Sequence, residues 1–162
     1  MALGKTHDIV NIAALPVFLY FLPKEFFVPF GAGYILGTFF LSPDLDLPSS
    51  RPTKRWKLLR CLWFPYQLLS KHRGVSHMPL IGSLFRLIYL LGTLLFLYFV
   101  FLGMLSLLGG EVLTSVFILD LRGVAEDLLR SEKVLYFVAG VVCADLLHIT
   151  VDILDSLRKK LT

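Results

Sequence analysis

Residues 79–108 read PLIGSLFRLIYLLGTLLFLYFVFLGMLSLL, a run whose single charge is Arg86. A straight helix of that length measures about 45 Å, against ~30 Å for the hydrocarbon core of a bilayer. A run this long and this apolar bears most on the fold class: it predicts a membrane-spanning helix. The excess length predicts that Met78 to Arg86 lie near the interface, with Arg86 snorkelling to water, and that Leu87 to Leu108 span. The rest of the chain agrees. Hydrophobic residues make up 56% and charged residues 17%, with a mean hydropathy of +0.75, and the apolar blocks alternate with short charged ones. That pattern excludes an ordinary soluble domain and predicts a polytopic membrane protein.

Downstream, residues 109–133 are net acidic and amphipathic, and Val134 to about Leu154 forms the last span before the basic tail Arg158-Lys159-Lys160. Upstream lies a short first helix from about His7 to Leu22, with Thr6 as N-cap and Asp8 in the favourable first turn. The apolar run ends in Leu22-Pro23-Lys24 without a small-residue cleavage site, so it reads as a retained helix rather than a signal peptide. A second helix follows from about Phe26, with Gly31, Gly33 and Gly37 permitting close helix contact, and Ser42-Pro43 ends it. Both are short for a span, so each either crosses or re-enters; in both cases His7 and Asp44 return to one side.

Residues 47–75 carry Arg51, Lys54, Arg55, Lys57, Arg60, Lys71 and Arg73 with no acidic residue, interleaved with Trp56, Leu58, Leu59, Leu62, Trp63 and Phe64. This predicts an amphipathic helix on an anionic membrane surface, broken at Pro65; nucleic acid is the weaker partner because apolar helices flank the segment. The expected fold is therefore all-α, one membrane-embedded domain over 1–162, with helices at about 7–22, 26–41, 53–64 (interfacial), 77–108 and 134–156. Lys5, the basic loop and the tail hold most of the 16 lysines and arginines and fall on one side of the path. The positive-inside rule makes that side cytoplasmic and the protein a multi-pass inner-membrane protein with both termini inside. Cys61 and Cys143 form no CxxC and predict no disulfide framework.

This topology gathers the chemistry. The four histidines, His7, His72, His77 and His148, all come out at the cytoplasmic face, together with Asp44, Asp46 and Asp152. His148 and Asp152 are an i, i+4 pair on one helix face. Asp44-Leu45-Asp46 stands between Pro43 and Pro48 in a stiff turn. Imidazole with carboxylate suits zinc first, and iron or manganese as alternatives. Taken singly, each has a plainer reading: an interfacial histidine, a helix-terminating Asp-x-Asp, a hydrogen-bonded pair joining helices. Taken together they point to a metal site, because polar groups at membrane depth are costly. The expected ligands are His7, Asp44, His72, His77, His148 and Asp152, with Asp46 as the spare base and Arg73 as a contact for an anionic substrate group.

His7-Asp8, Ser42-Pro43-Asp44-Leu45-Asp46, His72-Arg73-Gly74-Val75-Ser76-His77 and His148-x-x-x-Asp152 together resemble small bacterial integral membrane metal-binding proteins. They are also similar to the related membrane-bound metal-dependent hydrolases, over nearly the whole chain. The resemblance implies a divalent-metal site and, beyond it, hydrolysis of a lipid-type, phosphodiester or ester substrate. A non-catalytic metal-binding protein and a structural helix bundle are the alternatives. Transport ranks low, because the spans carry almost no charge away from the inner face. The sequence does not set the oligomeric state.

Overall fold

The structure is a computed structural model that describes residues 4–70, 78, 80–108 and 118–161. Among the described residues there are seven α-helices and no strand. They are α1 (Gly4–Tyr20), α2 (Phe27–Phe39), α3 (Arg51–Arg55), α4 (Phe64–Leu69), α5 (Ile81–Leu107), α6 (Leu121–Arg130) and α7 (Glu132–Leu161). Short 3₁₀ stretches at Lys24–Phe26, Pro43–Asp46 and Lys57–Trp63 connect them. The chain divides into two compact units, Met1–Leu87 with Glu132–Thr162, and Ile88–Ser131.

The first unit is built on the contact of α2 with α7. Glycines make it possible. A Cβ placed on Gly33 would lie 1.9 Å from the carbonyl oxygen of Phe137, and one on Gly140 would lie 2.2 Å from that of Phe30. The two backbones therefore touch directly, which small residues allow and any side chain would prevent. Phe30, Tyr34 and Ala144 form the core there, and Leu15, Phe18 and Leu19 of α1 pack against it. Phe26 stacks on Tyr136 at 3.8 Å between ring centres.

One polar residue ties the three helices. Asn11, buried within α1, donates to the Thr38 hydroxyl (3.1 Å) and to the Ala144 carbonyl (3.2 Å). The Tyr34 hydroxyl donates back to the Asn11 carbonyl at 3.0 Å. In an apolar setting such bonds fix register as well as proximity.

The basic segment differs from the single helix expected over 53–64. α3 is five residues long, Lys57 takes a positive φ of 50°, and the chain continues as a 3₁₀ stretch. A non-glycine residue with that φ cannot continue an α-helix, so the segment bends back. Pro65 does not break a helix. It lies in the first turn of α4, where its missing N–H is no loss. An aromatic series, Phe40, Trp56, Trp63, Tyr66 and Phe85, packs in successive contacts beneath the bend. Arg51 and Arg55 both reach the Asp8 carboxylate, the latter at 2.5 Å, and so bind α3 to α1. Thr6 lies inside α1, which begins at Gly4, and so does not cap it.

Arg86 overturns a second expectation. It does not snorkel: it is fully buried and paired with Asp145 of α7, which also accepts from the Ser83 hydroxyl. A guanidinium with a buried carboxylate partner within reach has no need of water, and the pair pins the first turns of α5 onto α7. In the second unit, Asp120 caps α6 by accepting from the Gly123 amide at 3.0 Å. The Leu119 amide donates to the Tyr98 hydroxyl at 2.9 Å.

Two helices, α5 and α7, are long and apolar enough to cross a membrane. α1 has 17 residues and α2 has 13, lengths short of the ~20 that a span requires. The expected bundle of about four helical spans thus reduces, by length and composition, to an all-helical chain with two candidate spans.

Candidate metal centre

α7 carries Asp145, His148 and Asp152 along one face, at spacings of three and four residues. α1 places His7 opposite, one turn before Asn11, and the Asn11 bonds set its height against α7. The Pro43–Asp46 turn brings Asp44 in from the end of α2. The outcome is a cluster of His7, His148 and Asp152 whose ligand-type atoms all lie within 4.8 Å of one another.

The geometry is specific. His7 Nε2 stands 3.3 Å from Asp152 Oδ1, and His148 Nε2 stands 3.8 Å from Asp152 Oδ2. Donors bound at about 2.0–2.2 Å to one tetrahedral ion sit roughly 3.3–3.6 Å apart, and the cluster is of that order of size. Asp44 Oδ2 lies 3.6 Å from His148 Nε2 and borders the cluster. The two imidazoles stack with ring centres 3.9 Å apart and planes 20° from parallel. Both histidines are buried, and the side chains of Asp44 and Asp152 are mostly so. His7 Nδ1 is buried and has no hydrogen-bond partner among the described residues. The atom facing the cluster is Nε2, on the opposite side of the ring, and it is the pairing of two imidazoles with a carboxylate that suits a cation. The donor set therefore fits a divalent metal. Ser42 Oγ lies 3.4 Å from His148 Nδ1, where it can hold the ring in one orientation.

The other expected site residues divide. Asp46 is buried on the same turn as Asp44 but is not part of the three-residue cluster. His72, Arg73 and His77 lie outside the described residues. Asp8, which follows His7 in the sequence, is engaged by Arg51 and Arg55 instead of facing the cluster.

Two supporting residues stood outside the motifs read from the sequence: Asn11 and Asp145. Asn11 stood as the one strongly polar residue in an apolar run, which is a signal for an interhelical bond. Asp145 precedes His148 by three residues and thus shares its helix face, so the i, i+3 rule applied to α7 would have placed it there. Ser42 stood in the Ser42-Pro43-Asp44-Leu45-Asp46 motif, and the structure adds the contact of its hydroxyl with His148.

The comparisons agree with the donor set. The chain is 48% identical over 142 residues to a protein of Aquifex aeolicus (strain VF5) described as "Uncharacterized protein", covering 86% of this chain and 98% of the relative. No solved structure matches. Residues 2–162 match the family described as "Uncharacterized metal-binding protein (DUF2227)", and the chain belongs to that metal-binding family.

Proposed function

We propose that this protein is a membrane-embedded, metal-dependent hydrolase working at the cytoplasmic face of the inner membrane. One observation carries the reading: two imidazoles and one carboxylate, from opposite ends of the chain, converge within 4.8 Å. Two histidines with one carboxylate is a donor set found in hydrolytic zinc sites, where a fourth position stays open to water. The same set serves iron, so zinc is the first choice and iron or manganese the alternatives.

His7, His148 and Asp152 would hold the ion, with Asp44 at its border and His72 and His77 as further candidates. The metal would supply Lewis acidity and lower the pKa of a bound water. Ser42 orients the His148 ring. Asp46 would take the proton released on attack, and Arg73 would hold an anionic group of the substrate. A lipid-type ester or phosphodiester suits a site at this depth.

The membrane placement rests on α5 and α7 as spans, with α1 and α2 as a re-entrant hairpin whose backbone groups are satisfied within the helices. Leu58, Leu59 and Phe64 are exposed among the basic residues of the 51–69 segment, which fits an interfacial position facing anionic lipid. The basic loop and tail support a cytoplasmic position for both termini.

The burial of both imidazoles favours a second reading, a closed centre that retains a metal without turnover. Elemental analysis after mild detergent extraction tests what the two readings share. Stoichiometric metal in the wild type and none in His148→Ala is the expected result, and a metal-free wild type would refute both. Assay of the loaded protein against phospholipid, phosphodiester and carboxylic-ester substrates then separates them. Cleavage that disappears in Asp46→Asn supports the hydrolase, and no turnover of any of them supports the closed centre.

A further inference from the structure

His7 and Asp8 are neighbours on α1 that face different surroundings. His7 turns into the buried cluster. Asp8 heads a groove of about 440 Å³ on the outside of the helix, lined by Ile9, Ile12, Ala13 and Phe39. That volume is within the range of small-molecule sites, yet the lining beyond Asp8 is wholly apolar. Ile9 is 68% exposed and Ile12 42%.

The two ends of the groove differ in charge. At the Asp8 end stand Arg51 and Arg55, whose guanidiniums share one carboxylate and so leave a net positive charge. Arg55 also lies over the Phe39 ring, 4.7 Å from its centre, so cation and apolar wall are continuous. Lys54 and Lys57, nearby in sequence, are exposed. From Asp8 to Ala13 the groove follows α1 away from this charge for about 7 Å of helix rise. A positive head and an apolar trough complement an anionic headgroup on a hydrocarbon chain.

We propose that this groove seats one anionic phospholipid, its phosphate against Arg51 and Arg55 and the start of an acyl chain along Ile9, Ile12, Ala13 and Phe39. The seat rests on the membrane placement argued above but not on any hydrolytic role.

Native mass spectrometry of the full chain in detergent, titrated with phosphatidylglycerol or phosphatidylcholine, tests the proposal. One phosphatidylglycerol should be retained about fivefold more strongly than phosphatidylcholine, the preference expected of one net basic charge near the headgroup. Ile12→Trp fills the trough and should abolish retention of both lipids while keeping its metal. Arg51→Gln should keep lipid binding but lose the preference for phosphatidylglycerol. Equal retention of the two lipids by the wild type overturns the proposal, as does unchanged selectivity in Arg51→Gln, and that second arm decides the matter if Ile12→Trp does not fold. Whether the chain stays with alkali-washed membranes is read separately, so the membrane placement and the lipid seat fail independently.

Discussion

Three residues apart on α7, Asp145 and His148 are buried to a similar degree and belong to opposite kinds of polar group. Asp145 meets a guanidinium and a hydroxyl, so its charge is answered within the protein. His148 meets another imidazole and the carboxylates of Asp44 and Asp152, donors of the kind that gather around a cation. Burial alone does not separate structure from function in an apolar environment. What separates them is whether the facing groups complete each other or leave a position for a third party.

The sharpest way to break this contrast is to remove one member of each level. His148→Ala should abolish metal retention, with the helices still formed, as read by elemental analysis beside circular dichroism. Arg86→Leu should retain less folded protein, costing about 3–5 kcal/mol because it strands a buried carboxylate. The double variant Arg86→Leu with Asp145→Leu should recover most of that loss and bind metal normally. If it loses metal as completely as His148→Ala, the ion pair belongs to the centre and the contrast fails.

A smaller effect probes what both levels share. Gly140→Ala drives a methyl group into the Phe30 carbonyl and should cost about 1–3 kcal/mol in thermal or denaturant unfolding as α2 and α7 separate. Metal affinity should fall with it, because Asp44 follows α2 while His148 and Asp152 stay on α7. Ser42→Ala is the mildest change. It removes the group near His148 Nδ1 and should weaken metal binding by about tenfold in competition with a chelator, without altering stability.

These contrasts also show what was legible in the sequence. The long helices were, because apolar runs bounded by charge have one common solution. Of the six expected ligands, His7, His148 and Asp152 come together and Asp44 borders them, while His72 and His77 lie outside the described residues; the helical spacing of His148 and Asp152 was the legible part. Arg86 was not. A lone cation in an apolar run looks the same whether it reaches for water or for a carboxylate, and its partner stands 59 positions away. The broken segment after Arg55 was hidden too. Its basic and aromatic residues alternate as an amphipathic helix would, and only the backbone at Lys57 shows the turn. The short first and second helices left spanning and re-entry open, because length restricts a span without setting its path.

The donors of the centre also impose an order on its making. His7 and Asp44 are made at least 104 residues ahead of His148 and Asp152. Until α7 is synthesised and has set Gly140 against α2, the early helices hold an imidazole and a carboxylate but no chelate. The full donor set exists only once synthesis has passed Asp152, and a chain truncated anywhere before it emerges without the full candidate site.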